Sequence, residues 1–379
     1  MSSKNPFKLG ILGGGQLGRM FIQTAVNYDL HINILDPDSE APCKPYAHEF
    51  TTGNLTDYET VIKFGEGLDL MTIEIENVNT EALETLVKKG VKVFPQPSVI
   101  KLIQDKRSQK QFYKANHIPT SEFYLIQEKK ELFDYQFFLP AVQKMGKEGY
   151  DGRGVQILNT PQDFEKGFDV PGVLEKKVDI EKEISVIVAK NEKGETSYFP
   201  PVEVVYHPEK NLVDYLLAPA QIPIEIEQRA IKIALEVIEK LGMVGILAVE
   251  MFWSKQGEVL VNEIAPRPHN SGHQTIEANY TSQYEQHLRS IMNYPLGSTK
   301  TRCLSAMINL LGEERYQGKA KYIGLDALLK MEAVYLHLYG KKITKPFRKM
   351  GHITVLGNSL KELSEKIEWI KKSIKVISE

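Results

Sequence analysis

Two glutamates on neighbouring apolar segments are the first residues whose type and spacing suggest chemistry. Glu250 stands within residues 244–252 and Glu263 within residues 259–263, where apolar residues alternate as in half-buried strands. Residues 254–257 carry turn chemistry, so the pattern predicts a β-hairpin. A turn with an even number of residues puts the glutamates directly opposite each other, where like charges are destabilising without a cation. Oxygen ligands favour Mg²⁺, which leaves coordination positions for phosphate groups.

The loop after the second glutamate bears on this interpretation. The alternative is that one glutamate simply points to solvent at the end of an ordinary hairpin. Arg267, His269, Asn270 and His273 follow closely in a proline-punctuated loop. A loop so rich in charged and hydrogen-bonding groups suits ligand binding better than packing. We therefore expect a binding site at this end of the hairpin.

Glycines concentrate in residues 146–154, between strands predicted around residues 141–145 and 155–157. The backbone amides of such a loop can surround a polyphosphate, and Lys147 and Arg153 add positive charge. The segment therefore predicts a flap over phosphates, with an ordinary long hairpin loop as the alternative. It is not a Walker A motif, because no Gly-Lys-Ser/Thr follows at the required spacing.

The chain opens with a predicted strand, a glycine-rich turn at residues 13–18, a helix and a second strand that ends at Asp36. This order begins a doubly wound α/β sheet, and the helix N-terminus there favours an anion. A NAD-dependent oxidoreductase is one interpretation, with Asp36 as the ribose acid. A tight turn without any nucleotide is the other, because a lone GxGxxG motif is weak evidence. Residues 70–77 predict a further strand that ends in acids at the ligand-binding edge.

The composition sets broad limits. The 379 residues are 42% hydrophobic and 25% charged, which is ordinary for a globular protein and predicts two or three domains. The net charge of −2 lacks the basic excess of proteins that bind nucleic acid or anionic membranes. Two cysteines offer neither a disulfide framework nor a cysteine zinc site. With no secretory or membrane-spanning segment recognisable, we expect a cytoplasmic protein.

Near the C-terminus, lysines and Arg348 crowd residues 341–349. This basic turn is either a phosphate-binding lip or simply a solvated turn. A mixed-charge amphipathic helix is predicted to close the chain over residues 360–377.

Taken in order, these pieces resemble the N5-carboxyaminoimidazole ribonucleotide synthetase family of the ATP-grasp superfamily, over nearly the whole chain. The motifs that carry the resemblance are GGGQLGRM at 13–20, IEIENV at 73–78, DKRSQK at 105–110, GYDGRG at 149–154, EKKV at 175–178 followed by Glu183, VEMFW at 249–253, NEIAPRPHNSGH at 262–273 and RKMGH at 348–352. Their combination and order are far more specific than any one of them.

The resemblance implies an α/β and α+β architecture with an ATP-grasp fold. Residues 1–102 would form a Rossmann-like pre-ATP-grasp domain, and residues 103–297 a two-lobed ATP-grasp domain with its small lobe at about 120–178. Residues 298–379 would form a small C-terminal domain. The family couples ATP cleavage to carboxylation of 5-aminoimidazole ribonucleotide by bicarbonate in purine biosynthesis, usually as a homodimer. ATP and Mg²⁺ are therefore expected, whereas nucleic acid and membrane are not.

The resemblance also implies individual roles. Glu250 and Glu263 would hold Mg²⁺. The ATP contacts would come from Lys106, Lys144, Gly149, Tyr150, Asp151, Gly152, Arg153, Gly154, Glu175, Lys176, Lys177, Val178, Glu183, His207, Asn262 and Glu263. The groups between bicarbonate and the ribonucleotide would be Tyr150, Asp151, Arg153, Arg267, His269 and Asn270. The ribonucleotide would meet Gly15, Gln16, Leu17, Glu76 and Asn270, and its 5′-phosphate would meet Lys341, Arg348 and Lys349.

Three other functions remain as alternatives. A formate- or glycine-ligating ATP-grasp enzyme would act on another purine precursor, and Asn270 is the residue that bears on this alternative, because a related transformylase has an acid at the matching place. The NAD-dependent oxidoreductase has support only from the start of the chain. A non-catalytic nucleotide-binding partner of a mutase would not need the glutamate pair.

Overall fold

The structure, a computed structural model, describes residues 6–147, 154–206 and 213–379. The predicted site residues that lie outside these ranges are Gly149, Tyr150, Asp151, Gly152, Arg153 and His207. Within the described ranges, no helix combines the length and apolar character needed to cross a membrane.

The first part of the chain is a parallel five-stranded sheet in the order β3-β2-β1-β4-β5. Its strands are β1 (Lys8–Leu12), β2 (His31–Asp36), β3 (Glu49–Thr52), β4 (Leu70–Ile73) and β5 (Lys92–Val93). Its helices are α1 (Gln16–Ala25), α2 (Tyr58–Gly65), α3 (Thr80–Lys88) and α4 (Pro97–Ile103). The near-continuous burial of β1, β2 and β4 fits a sheet that helices cover on both faces. The predicted doubly wound architecture is confirmed.

The strand predicted over residues 70–77 ends early, at Ile73, because Glu74 leaves it to cap α1. One carboxylate oxygen of Glu74 accepts the Gly15 N–H at 2.9 Å and the other accepts the Leu17 N–H at 3.0 Å. Asp36 accepts the Gly14 N–H at 2.6 Å. The amides that a dinucleotide pyrophosphate would require are therefore bonded to the chain's own carboxylates, which argues against the NAD interpretation.

A small antiparallel sheet follows α5 (Lys106–Ala115). Its strands are β6 (Phe123–Ile126), β7 (Ala141–Met145), β8 (Val155–Leu158) and β9 (Gly172–Lys176), in the spatial order β6-β9-β7-β8. Helix α5 begins at Lys106 because the Asp105 carboxylate accepts the Arg107 N–H at 2.9 Å and caps the helix. This cap fixes Lys106 in the first helical turn, at the edge of the small sheet.

The central part of the chain builds a larger antiparallel sheet. Its strands are β10 (Ile180–Lys190), β11 (Thr196–Tyr198), β12 (Val202–Tyr206), β13 (Val213–Ala218), β14 (Gly245–Ser254) and β15 (Val259–Ala265). The helices are α6 (Ile224–Lys240), α7 (Thr275–Ala278) and α8 (Gln283–Ile291). Helix α6 buries Ile226, Ala230, Ile233 and Val237 against this sheet, as their helical spacing predicts.

The large sheet continues into the C-terminal part of the chain. The C-terminal elements are β16 (Leu304–Leu311), β17 (Gly318–Ile323), α9 (Leu325–Leu328), β18 (Val334–Leu338), β19 (Ile343–Thr344), β20 (Lys349–Gly357), α10 (Leu360–Ser373) and β21 (Lys375–Ser378). The pairing of β13 with β16 gives one sheet in the order β15-β14-β10-β12-β13-β16-β20-β18, with β11 beside β10. The predicted boundary at residues 297/298 therefore separates two parts of the chain that share one sheet, and the domain limits stay a prediction.

The prediction of one helix over residues 360–377 is wrong at its end. Helix α10 stops at Ser373, and the chain then forms β21, which pairs with β17. Ile374 and Val376 are both buried in the C-terminal core, and alternation with a period of two requires an extended chain. The β-branched residues Ile374, Val376 and Ile377 favour that strand.

Candidate active site

The predicted glutamate pair forms, but by a different route. Glu250 on β14 is the cross-strand partner of Glu263 on β15, as expected. The turn, however, contains an odd number of residues, because Trp253 pairs with Val259. A β-bulge between Glu250 and Met251 adds Asn262 as an extra residue and restores the predicted partners. Two neighbouring residues of β15 thereby serve the same site. We call Glu250 and Glu263 the carboxylate pair.

Two lysines from other elements meet the bulge, and we call Lys106 and Lys144 the phosphate lysines. Lys106, in the first turn of α5, is ion-paired with Glu263. Lys144, on β7, donates a hydrogen bond to Asn262 Oδ1 at 2.6 Å. The bulge therefore joins the small sheet, α5 and the large sheet around one cleft. The four side chains that meet here were all predicted as site residues: Lys106, Lys144, Asn262 and Glu263.

The two members of the carboxylate pair differ electrostatically. Burial and the neighbouring Glu263 raise the pKa of Glu250 above its ordinary value. The ammonium of Lys106 holds the pKa of Glu263 below its ordinary value, despite burial. His269 Nε2 lies 3.1 Å from Glu250 Oε1, and its Nδ1 lies 2.9 Å from the Ser271 hydroxyl. The predicted residue His269 is thus oriented between the pair and the loop that carries it.

Behind the phosphate lysines lies a buried charge network that the sequence did not reveal. Glu175, on β9, is 3% exposed, and its two oxygens lie 3.1 Å from Lys144 Nζ and 3.0 Å from Lys110 Nζ. Burial alone would raise the pKa of Glu175, but Lys144 and Lys110 together lower it to about 2. Lys110 also donates to the Thr120 hydroxyl at 2.6 Å. Glu175 was predicted as an ATP contact, and its carboxylate holds Lys144 in place.

The remaining nucleotide-side predictions fall around the same cleft. Glu183 accepts the Tyr206 hydroxyl at 2.8 Å, and burial raises the pKa of Glu183. The N–H groups of Lys176 and Lys177 donate to carbonyls of Glu122 and Pro140, so contacts to a base would fall to the other backbone groups of residues 175–178. Gly154 closes the base of the flap hairpin, where its carbonyl accepts the Met145 N–H at 2.9 Å.

Two exposed apolar side chains on β8 share the Lys144 face of the small sheet. Val155 pairs directly with Lys144, and Ile157 pairs with Val142. Their side chains are 37% and 47% exposed, which is unusual for aliphatic residues in a sheet. The only signal in the sequence is alternation along a short strand, which does not distinguish an open cleft from a buried face.

The loop after the carboxylate pair contacts the first domain. Arg267 Nε lies 2.8 Å from Glu76 Oε1, which joins two predicted residues across the domains. Asn270 Oδ1 is buried, and no hydrogen-bond donor reaches it within the described chain. Gln16 is the first residue of α1. The N–H groups of its two neighbours, Gly15 and Leu17, are already bonded to Glu74. Any ligand contact of Gly15 and Leu17 must therefore use other atoms.

The basic turn reaches the same region from the C-terminal side. Lys341 donates to the Lys349 carbonyl at 2.9 Å, and Arg348 donates to the Ile343 carbonyl at 2.7 Å. The charge of Lys349 opposes the rise in the pKa of Glu250. Lys342, by contrast, is ion-paired with Glu40 and serves a domain contact. Lys341 and Arg348 are thus both anchored to main-chain carbonyls of the basic turn, and the phosphate-binding role of Lys341, Arg348 and Lys349 stays a prediction.

The donor set of the cleft fits a magnesium ion. Two carboxylates and the Asn262 carboxamide offer only oxygen, the ligand that Mg²⁺ prefers. Burial and the neighbouring Glu263 raise the pKa of Glu250, and a bound divalent cation would oppose that rise. Over the described ranges, no group of three or more His, Cys, Asp or Glu side chains forms a complete metal cage. A site with two protein carboxylates suits Mg²⁺ that is also held by substrate phosphates.

Three family models match consecutive parts of this chain. The ribonucleotide synthetase preATP-grasp domain matches residues 7–104, the ATP-grasp domain matches residues 111–284, and the phosphoribosylaminoimidazole carboxylase C-terminal domain matches residues 305–366. Together they follow the order of the parts described above.

Individual proteins resemble the chain over nearly its whole length. The N5-carboxyaminoimidazole ribonucleotide synthase of Bacillus subtilis is 37% identical over 355 residues, which is 92% of this chain and 91% of that protein. The crystal structure of the Thermotoga maritima synthetase covers 98% of this chain and 100% of its own, at 44% identity and a TM-score of 0.91. An Aspergillus clavatus synthase in complex with ADP and 5-aminoimidazole ribonucleotide covers 97% and 98%, at 33% identity and a TM-score of 0.87. The chain therefore belongs to the N5-carboxyaminoimidazole ribonucleotide synthase family of ATP-grasp ligases.

Proposed function

We propose that this protein uses ATP and bicarbonate to carboxylate the exocyclic amine of 5-aminoimidazole ribonucleotide. The products are N5-carboxyaminoimidazole ribonucleotide, ADP and phosphate, in purine biosynthesis. The observation that carries the proposal is the single cleft in which the carboxylate pair meets the phosphate lysines on one side and Arg267 with His269 on the other. This arrangement has a cationic phosphoryl site directly beside an anion-binding loop.

ATP binds in the cleft between the small sheet and the large sheet. The phosphate lysines contact its phosphates, and Lys144 keeps its orientation because Glu175 and Asn262 hold it. Val155 and Ile157 provide an apolar wall for the adenine, while residues 175–178 offer it backbone groups and Glu183 takes the ribose hydroxyls. Residues 149–154 and His207 complete this site in the proposal, and all of them except Gly154 lie outside the described ranges.

Mg²⁺ would be held by the carboxylate pair, with Asn262 beside it. When bound, the ion neutralises charge on the ATP phosphates during phosphoryl transfer. Lys106 also prepares this site, because its ion pair with Glu263 keeps that carboxylate ionised and ready to act as a ligand. His269 positions the other carboxylate, because its Nε2 lies 3.1 Å from Glu250 Oε1.

The reaction requires activation because bicarbonate is a poor electrophile. A bicarbonate oxygen attacks the γ-phosphorus, the bond to ADP breaks, and carboxyphosphate forms. The amine nitrogen then bonds to the carboxyl carbon, directly or after release of CO₂, and phosphate leaves as the amine loses a proton. Arg267, held by Glu76, is positioned to bind the anionic acceptor, and His269 is positioned beside it. Tyr150, Asp151 and Arg153 of the flap belong to this step in the proposal.

The ribonucleotide lies against the first domain, the Arg267 loop and the basic turn. Gln16, with Gly15, Leu17 and Glu76, contacts it from the first domain. The unpaired Asn270 Oδ1 accepts a hydrogen bond from the aminoimidazole, which would satisfy a buried acceptor. The 5′-phosphate is bound by Lys341, Arg348 and Lys349. The active protein is a cytoplasmic homodimer in this proposal.

Oxygen-labelled bicarbonate tests the reaction. One bicarbonate oxygen joins the γ-phosphorus and remains in phosphate when carboxyphosphate breaks down, so inorganic phosphate should gain one heavy oxygen when ATP and the ribonucleotide are both present. Short incubations are needed because bicarbonate exchanges oxygen with water through CO₂. Mass spectrometry of the phosphate reads the label. Phosphate whose added oxygen comes from water would contradict the mechanism, and a formate- or glycine-ligating enzyme would take no label from bicarbonate.

A further inference from the structure

Arg19 lies at the junction between α1 and the basic turn, yet no role has been assigned to it above. It follows Gln16 by three residues on α1, so the two side chains share one side of the helix. Gln16 faces the ribonucleotide in the proposed function, and Arg19 extends the same side towards the C-terminal domain. Its guanidinium carbon lies 4.9 Å from the centre of the Tyr46 ring, so the group packs against that ring.

The backbone of the basic turn is shaped to receive this guanidinium. Gly340, directly before Lys341, has φ +77°, a conformation that favours glycine. A Cβ atom at this position would lie 2.3 Å from Arg19 Nη1. The local conformation therefore favours glycine, and the Arg19 guanidinium occupies the space that a side chain at this position would take. The guanidinium is held against the turn that supplies the predicted phosphate ligands.

Three acids of the first domain are bonded to groups other than Arg19. Glu40 is ion-paired with Lys342, Asp36 accepts the Gly14 N–H, and Glu74 accepts two amides of α1. Throughout the part of the chain that the structure describes, no acceptor takes a hydrogen bond from the Arg19 guanidinium. A partly buried guanidinium has five N–H donors, and leaving them without an acceptor is unfavourable. An external anion is the acceptor that this position lacks.

We infer that Arg19 binds the 5′-phosphate of the ribonucleotide, together with Lys341 and Arg348. A phosphate monoester is a dianion whose oxygens match the planar fork of arginine, whereas lysine contributes a point charge. The site would then join the first domain to the C-terminal domain through the substrate itself. This inference rests on the proposed function, because it assigns a further ligand to the same substrate.

The test compares two substrates in each variant, 5-aminoimidazole ribonucleotide and its riboside, which lacks the phosphate. For each, kcat/KM is taken from the slope of ATP cleavage rate against substrate concentration. In Arg19→Met the preference for the phosphorylated substrate should fall roughly 10- to 100-fold, the size expected for one charge-assisted contact. Arg19→Lys should retain part of the preference. The ratio is independent of the fraction of folded enzyme, so partial unfolding does not obscure it.

Arg302→Met is the matched control, because Arg302 also lies over a ring, that of the exposed Tyr280, at 5.8 Å. Its substrate preference should equal that of the wild type. If Arg19→Met lowers kcat/KM equally for both substrates, or leaves both unchanged, Arg19 is a structural contact and the inference is wrong. If wild-type protein shows no ATP cleavage that depends on the ribonucleotide, the proposed function itself fails. Failure of the inference is thus read from the Arg19→Met variant, and failure of the proposed function from the wild-type protein.

Discussion

At the scale of single residues, the most consequential charge is the buried carboxylate of Glu175, which lies behind the phosphate lysines. Lys110 and Lys144 share the carboxylate of Glu175, which is almost completely buried. Burial lowers the pKa of Lys110 to about 8, although Glu175 opposes that shift. The neutral form is therefore accessible, and the ion pair is what keeps Lys110 charged at neutral pH.

We expect Lys110→Met to destabilise the protein by about 3–5 kcal/mol, because it leaves a buried carboxylate with one partner fewer. Lys144 would then be drawn towards Glu175, and the KM for ATP should rise. Urea unfolding and ATP-dependent kinetics measure the two effects. Lys114→Met, on the exposed side of the same helix, should change neither. A double variant, Lys110→Met with Glu175→Gln, should recover part of the stability, and a cost below about 1 kcal/mol for the single change would contradict this account.

The residues predicted from the sequence and those missed differ in where their partners lie. Glu250 and Glu263 stand on one hairpin, so local alternation was enough to pair them. The buried position of Lys110 could not be predicted, because its partner Glu175 lies on another element and a lysine in a helix normally faces solvent. Arg19 is hidden for a different reason, since only the fold brings Gly340 against it.

At the scale of elements, local irregularities decide where the site residues point. The bulge at Asn262 aligns two neighbouring residues of β15 with the phosphate lysines, and the odd-numbered turn alone would have paired Glu250 with Asn262. Turn length could not be predicted from residues 254–257, since several loop types suit that sequence. The prediction of the pair was therefore right, although its assumed turn was wrong.

The start of α1 is a second such irregularity, and it permits a test. Each oxygen of Glu74 accepts one N–H, so the ionised form is required even though burial raises the pKa of Glu74. In Glu74→Gln an NH₂ group would face one of these N–H groups, and we expect a loss of about 1–3 kcal/mol in the free energy of unfolding. Urea denaturation measures it.

Helix α2 supplies the control for this prediction. Asp57 caps α2 by accepting a hydrogen bond from the Thr60 N–H, and asparagine caps a helix about as well as aspartate. Asp57→Asn should therefore change the free energy of unfolding by less than about 0.5 kcal/mol. If both substitutions lowered the free energy of unfolding equally, the two hydrogen bonds that Glu74 accepts would have no special importance.

At the scale of the whole molecule, the three parts predicted from the sequence are not independent bodies. Helix α8 contributes Tyr284, Leu288 and Ile291 to the same core as Phe21 of α1. The large sheet, in turn, passes without interruption into the C-terminal strands. Pairing between distant strands leaves no local pattern, so the sequence could predict the order of the parts but not their shared core and sheet.

The shared core contains a titratable group that makes the stability of the folded protein depend on pH. His287 of α8 is buried against Phe21, with ring centres 5.4 Å apart, and its Nε2 lies 2.9 Å from the Thr72 hydroxyl of β4. Burial lowers the pKa of His287 to about 3. Between about pH 3 and 6.5 the unfolded chain therefore binds a proton that the folded chain does not, so this histidine lowers stability as pH falls.

Replacing His287 by glutamine should flatten the dependence of unfolding free energy on pH. Glutamine can still bond to Thr72 but does not titrate, so below pH 6.5 the variant should lose stability more slowly than the wild type, by up to about 1.4 kcal/mol per pH unit. Urea unfolding at intervals between pH 7.5 and pH 5 measures the slope, and the two proteins should be parallel above pH 7. His117→Asn is the control, because the exposed His117 has φ +56°, which asparagine tolerates. Equal slopes for wild type and His287→Gln below pH 6.5 would mean that His287 binds its proton in the folded protein, and the interface between α8 and the first domain would then have to admit water.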